Sequence, residues 1–284
     1  MSAPTGHAPA LREPLRMKLG LGLVVAVFLG LVVVVPLAVV IITGFREGIG
    51  MWAHAATDPA VVDALELTLL VVLISVPINT FFGLAAAWAV TKHEFRGRGM
   101  LVALIDLPFS ISPVITGLAF ILLFSHSVVA PGLFGGWLIE HDLQVVFAIP
   151  GIVLATVFVT FPFVAREVIP AMEARGKDME LAALTLGASG WQTFWRVTLP
   201  SVKWAVFHGV VLATARAVGE FGAVSVVSGH RQSVMTATLR IEHLYNESGG
   251  HGFTAAFAVS SLLLAIAILT VVAKSLLTRL ENRR

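Results

Sequence analysis

Two ionisable residues stand out because of the apolar company they keep. Arg216 and Glu220 lie four residues apart within the apolar stretch 204–227, a spacing that puts both side chains on one face of a helix and lets them pair along it. A lone charge near the centre of a bilayer costs roughly 2.5–3.5 kcal/mol on insertion scales, so such a side chain faces protein or a water-filled path rather than lipid. The two could neutralise each other, or they could be the working site of an integral-membrane enzyme or secondary carrier. Little other chemistry is on offer. The chain has no cysteine, which excludes disulfides, thiolate metal sites and cysteine nucleophiles. It has no G-x-x-x-x-G-K-[ST] loop, H-E-x-x-H helix or G-x-S-x-G elbow, so nucleotide hydrolysis, zinc proteolysis and hydrolase chemistry lack their usual supports. His54, His126, His141 and His251 are scattered without paired ligand spacing, and no metal site is expected. The sequence therefore predicts a chain with no catalytic residue and no bound cofactor, whose energy must come from another protein.

The elements that position these residues are membrane helices. Of 284 residues, 57% are hydrophobic and only 13% charged, more apolar sequence than a soluble core needs. A hydrocarbon layer about 30 Å thick calls for roughly 20 apolar residues per helix. Six stretches meet that demand, at 19–43, 67–90, 101–124, 145–165, 204–227 and 253–272. The first is too long for a signal-peptide core and has no small-x-small cleavage site after it. Residues 1–14 are rich in Ala and Pro and read as a mobile tail.

Positive residues near span ends are held on the cytoplasmic side. With both termini inside, fifteen Lys and Arg fall in inner segments, while Arg46, Arg231 and Arg240 fall outside and Arg216 lies within the fifth span. That bias predicts an N-in, C-in multi-pass membrane protein. The sequence pI near 9.3 reflects these boundary charges rather than a nucleic-acid face. Loops 43–66 and 125–144 are then external, the second irregular at Pro131, Gly132, Gly135 and Gly136.

The longest inner loop, 166–203, reads as folded. Asp178 can cap a short helix running through Leu186, Gly187 can take the left-handed stop, and Ser189 with Gln192 forms an S-x-x-Q capping box for a second helix. Trp191, Phe194 and Trp195 follow at helical spacing, suited to an interfacial face, and Pro200 should end that helix before the next span.

The same loop carries a resemblance. Ala182-Ala183, Gly187, Val197, Thr198 and Leu199-Pro200 match the EAA loop of ABC import permeases, with Leu181 where the glutamate usually stands and Glu180 one residue earlier. Leu107-Pro108-Phe109-Ser110-Ile111-Ser112-Pro113-Val114, Gly187-Ala188-Ser189-Gly190-Trp191-Gln192, Ala215-Arg216-Ala217-Val218-Gly219-Glu220-Phe221-Gly222-Ala223-Val224 and Leu244-Tyr245-Asn246-Glu247 resemble sulfate/thiosulfate permeases of the CysW type. The resemblance implies an all-α type I importer permease with six transmembrane helices. It also implies a place in a bacterial inner membrane, with a cytoplasmic tail at 1–18, a first helix and outer loop at 19–63, a permease core at 64–274 containing the loop 166–203, and a cytoplasmic tail at 275–284.

Its implied partners are a CysT-type permease as heterodimer mate, two CysA-type ATPase subunits that hold ATP and Mg, a periplasmic sulfate-binding protein and the lipid bilayer, with no nucleic acid. ATP binding on the partners would move the loop and reorient the spans by alternating access. Glu180, Leu181, Ala182, Ala183, Gly187, Ala188, Ser189, Leu199 and Pro200 would couple to the ATPase. Along the pathway, the hydroxyls of Ser110, Ser112, Thr116, Ser225 and Ser228 could donate to an oxyanion, or could bond carbonyls freed by Pro108 and Pro113. Arg216 could attract the anion or simply pair with Glu220. Molybdate, another tetrahedral dianion, is the rival substrate. Pro77, Pro108, Pro113, Pro150 and Pro162 should bend helices, and Asp106 should lie near the cytoplasmic interface.

Overall fold

The computed structural model describes residues 15–125, 127, 132–247 and 250–281. Most of the expected N-terminal tail, with His126, Pro131 and the end of the C-terminal tail, lies outside them, although residues 15–18 already belong to the first helix. Among the described residues every regular element is a helix. Helix α1 (Leu15–Leu29), a π-turn (Gly30–Val34) and α2 (Val35–Gly44) make one continuous apolar rod. The wide turn stands just before Pro36, whose missing N–H would otherwise leave a gap in the helical ladder. Most of the rod is exposed, whereas Gly44 is buried, and a β-carbon there would come within 2.8 Å of the Phe257 carbonyl.

The segment expected as an outer loop is itself folded into α3 (Ile49–Ala56), and α4 (Pro59–Lys92) begins eight residues before the apolar stretch does, capped where Asp58 Oδ1 accepts the Ala60 N–H at 2.9 Å. The third stretch is not one straight span. It is α5 (Arg98–Ser110) and α6 (Pro113–Phe124), bent by 109°. Ile111 and Ser112 are extended because a residue before proline is pushed out of the helical region and Pro113 cannot donate.

After α7 (Gly135–Glu140), α8 (Ile149–Arg175) runs ten residues past the expected end of its span, through Pro162 and Pro170. Pro113 and Pro150 open helices rather than bending them, whereas Pro77, Pro108 and Pro162 lie inside helices.

An elbow follows, formed by α9 (Asp178–Thr185) and α10 (Gly190–Thr193). A second π-turn (Phe194–Thr198) then leads directly into α11 (Leu199–Val218). Pro200 therefore does not end the second elbow helix, since residues 190–218 are one continuous helix in which the π-turn absorbs the missing donor. The fifth stretch, by contrast, breaks at Gly219 and resumes as the short α12 (Gly222–Ser228). Helices α13 (Ala237–Asn246) and α14 (Gly250–Glu281) complete the chain. Among the described residues, five helices are long and apolar enough to cross a bilayer, six when the bent pair counts as one span.

Helix α8 is the centre of the bundle, packed on α4, α5, α11 and α12. Without a hydrophobic drive between helices in lipid, small residues and buried polar pairs hold them together. The fully buried Val164 sits between two glycines. A β-carbon on Gly83 of α4 would lie 3.0 Å from Val164 Cβ, and one on Gly209 of α11 would lie 2.8 Å from Val164 Cα. Asn79 Nδ2 donates to Thr160 Oγ1 at 2.7 Å, and that hydroxyl donates to the Thr156 carbonyl at 2.6 Å, joining α4 to α8. Helix α14 is tied back to α3 by Trp52 Nε1 donating to Ser261 Oγ at 2.8 Å.

Candidate translocation site and coupling elbow

The two helix breaks meet. A β-carbon on Gly222, which opens α12, would lie 2.9 Å from Pro113 Cβ, which opens α6, and the short helices behind them pack together. Only a glycine admits that approach. Irregular backbone at membrane depth is tolerated where its polar groups find partners or line a cavity, and Glu220 supplies such partners. Its Oε1 accepts the Ala223 N–H at 2.9 Å, capping α12, and its backbone carbonyl accepts Thr238 Oγ1 at 2.8 Å. Its Oε2 lies 2.7 Å from Arg216 Nη2, with the Glu220 side chain 1% exposed and that of Arg216 32% exposed. The pair read from the sequence is thus present, although α11 ends at Val218 and Glu220 holds the break rather than continuing the helix.

The candidate hydroxyls divide in two. Thr116, Ser225 and Ser228 are buried and donate to the carbonyls of Ser112, Gly222 and Ser225, at 3.3, 2.9 and 3.4 Å. Ser110 and Ser112, at the α5–α6 break, are exposed.

At the other end of α8, the elbow is built as the sequence indicated, with refinements. Asp178 begins α9 rather than capping it, and α9 stops at Thr185. Gly187 has φ 86°, with the Ala188 N–H bonded to the Ala183 carbonyl and the Gly187 N–H to the Leu184 carbonyl, both at 3.0 Å, the paired bonds of a Schellman stop. Ser189 and Gln192 form the reciprocal capping box. Leu181, Leu184, Leu186, Trp191 and Trp195 are exposed, while Phe194 is buried against Trp88 of α4 at a centroid distance of 5.2 Å. The aromatic trio therefore shows solvent only two of its rings. Ala182 and Pro200 are exposed, and Ala183, Ala188 and Leu199 are half-buried.

Glu180 turns inward. Lys92 Nζ, at the end of α4, lies 2.8 Å from Glu180 Oε2 and donates to the Gly176 carbonyl at 2.6 Å, and Thr198 Oγ1 donates to Glu180 Oε1 at 2.7 Å. The Lys92–Glu180 pair thus joins α4, the residue that caps α8, the first elbow helix and the π-turn. Lys92 was not singled out in the sequence, and Thr198 stood there only as part of the EAA-loop match, with no bond to Glu180 expected of either. A second pair also went unpredicted: Arg166 Nε donates to Asp106 Oδ1 at 2.8 Å, joining α8 to α5. Asp106 was expected only at a membrane boundary. No group of three or more potential metal ligands occurs among the described residues.

Residues 79–284 match the family described as "Binding-protein-dependent transport system inner membrane component". The chain belongs to this family. Its relatives include the sulfate transport system permease protein CysW of Synechococcus elongatus, 48% identical over 246 residues that cover 86% of this chain and 84% of the relative. The sulfate transport system permease protein CysT of Escherichia coli K12 is 37% identical over 238 residues, covering 82% and 83%. In fold, the chain superposes on a bacterial ABC transporter involved in the import of the acidic polysaccharide alginate, with TM-score 0.76 and 15% identity over 93% of this chain and 95% of that one. The six-span architecture is accordingly that of type I ABC importer permeases, and the chain is a multi-pass inner-membrane permease subunit.

Proposed function

We propose that the chain is the CysW-type permease of an ATP-driven sulfate importer, forming half of the pathway beside a CysT-type mate. The observation that carries this reading is the exposed two-helix elbow on a bundle related along most of its length to CysW permeases. Two CysA-type ATPase subunits would bind ATP and Mg and close on each other. The elbow's exposed leucines and tryptophans would seat on them, leaving this chain without a catalytic step of its own. Because Glu180 ties the elbow to Lys92 of α4, which also bonds the Gly176 carbonyl at the end of α8, movement of α9 would pull both long helices together. The two touching helix breaks would then shift relative to the mate, exposing Ser110 and Ser112 to one side or the other. Exposed hydroxyls suit a transported dianion, since they donate hydrogen bonds without the grip of fixed positive charge. A periplasmic sulfate-binding protein would deliver the anion to the Thr57 end of the bundle, the elbow and both termini being cytoplasmic.

The test is reconstitution. Proteoliposomes containing both permeases, the ATPase and the binding protein should take up radiolabelled sulfate only with internal or external ATP placed on the elbow side. Uptake of molybdate in preference to sulfate would overturn the substrate assignment, and uptake without any ATPase would overturn the transporter class.

A further inference from the structure

The ion pair between Arg166 and Asp106 has a use that neither the elbow nor the helix breaks accounts for. The Arg166 guanidinium is held at one edge only, its Nε on Asp106, and its carbon stands 4.9 Å over the Phe109 ring. Among the described residues, no hydrogen bond reaches its two terminal nitrogens, and the side chains of Arg166 and Asp106 are 55% and 37% exposed.

The depth of the pair makes that exposure informative. Arg98 and Glu173, 3.7 Å apart and both exposed, mark a polar level near the elbow end of α5 and α8. Asp106 is eight residues deeper on α5, and Arg166 seven residues deeper on α8. At 1.5 Å per residue, the pair lies roughly 11 Å inside that level, within a hydrocarbon half-thickness of about 15 Å. A charged pair so placed cannot face lipid cheaply. It stands one helical turn below Ser110, at the break where Pro113 meets Gly222.

Resting on the reading of the chain as an oxyanion permease, we infer that Arg166 is an anion contact on the elbow-side half of the pathway, presenting its two terminal nitrogens to a tetrahedral dianion. Asp106 is the positioning residue. By occupying Nε, it fixes the plane of the fork, whose remaining N–H groups suit two oxygens of one oxyanion. Its charge also offsets that of the guanidinium, so that the anion is met by oriented donors without a net positive trap. A site on a pathway needs that balance, because an ion must leave as readily as it enters. Arg216 is built differently, its partner Glu220 being buried and occupied on both oxygens.

The absence of cysteine allows a readout independent of transport. Ser110→Cys lies four residues from Asp106, on the same face of α5. In the complete complex in nanodiscs, its modification rates by an anionic and a cationic methanethiosulfonate report the local potential and water access. The anionic reagent should be favoured, sulfate should slow both reagents, and Arg166→Gln should lower the anionic-to-cationic rate ratio by about tenfold and abolish sulfate protection. Arg166→Lys should keep part of the ratio but little protection, and Asp106→Asn should raise the ratio. If Arg166→Gln fails to assemble, the double variant Arg166→Gln/Asp106→Asn, which leaves no unpaired charge, should still lose protection. No modification of Ser110→Cys in any nucleotide state would place the pair against protein and overturn the site, as would a ratio indifferent to residue 166. Protection by molybdate but not sulfate would keep the site and overturn the sulfate assignment.

Discussion

Lys92→Met isolates the coupling role of Glu180. The lysine side chain is 9% exposed and that of Glu180 15%, so both charges are largely removed from solvent. Deleting one member of a buried pair typically costs about 3–5 kcal/mol, because the other is left uncompensated. Two features here reduce the figure: Glu180 keeps its bond from Thr198, and a cavity of about 190 Å³ beside it, lined by Trp88, His93 and Leu184 among others, can admit water. A local destabilisation of about 1–3 kcal/mol is expected, concentrated on the attachment of α9 to α4. That is enough to leave the elbow detached in a large fraction of molecules without unfolding a bundle held by α8. In proteoliposomes, sulfate transported and ATP hydrolysed should be measured on the same vesicles. Lys92→Met should lower the transport-to-hydrolysis ratio several-fold while the ATPase still co-purifies. Glu180→Gln, which can still accept from Thr198, should do so more mildly. If Glu180→Gln instead releases the ATPase while Lys92→Met behaves as wild type, Glu180 acts outward on the ATPase and the inward latch is refuted.

Other perturbations bear on other parts of the molecule. At Gly187, space is open around a β-carbon but φ is 86°, so strain alone should order the variants. Gly187→Asn should couple best, Gly187→Ala less well and Gly187→Val worst, at about 1–2 kcal/mol of strain, read as sulfate-stimulated hydrolysis; equal activity across the series would show that the turn is dispensable. Arg216→Gln leaves the buried Glu220 carboxylate unpaired and should cost assembly about 2–4 kcal/mol, whereas Glu220→Gln should cost less and the double variant should recover part of the loss. Yield of detergent-stable complex checks this, and a harmless Arg216→Gln would refute structural pairing. Single cysteines at the exposed Thr57 and Gly136 should react with an impermeant thiol reagent in intact cells, and those at Glu94 and Ser189 should not; the reverse pattern would invert the orientation.

The membrane spans were legible because hydrocarbon demands long apolar runs, and that signal does not depend on packing. The elbow was legible for a different reason: Gly187 and the Ser189–Gln192 box are local devices whose partners lie within a few residues. What failed was continuity. A run of apolar residues says nothing about whether the helix inside it is straight, so 101–124 and 204–227 read as single spans. Only the meeting of Pro113 with Gly222 and the capping of Ala223 by Glu220 show why they break. The reverse error at Pro200 has the same origin, since a π-turn supplies a tertiary solution to a missing donor that a proline rule cannot anticipate. Lys92 with Glu180 and Asp106 with Arg166 escaped notice because their members are 88 and 60 residues apart, joined by helix packing and not by spacing.

Burial then separates these charges by task in a way their residue types do not. Glu220 and Glu180 are each an acid opposite a base, and each spends its second oxygen on another donor, the Ala223 backbone in one case and Thr198 in the other. A carboxylate held in this way joins elements that would otherwise move separately. Asp106 makes one bond, to a guanidinium whose outer edge is unoccupied. The same pairing is structural where a largely buried acid is held by donors from two elements, and available for transport where the base is exposed and keeps unoccupied donors. On that criterion, substitution at Arg166 should change how anions interact with the assembled complex, while substitution at Glu180 should change how hydrolysis is coupled to their movement.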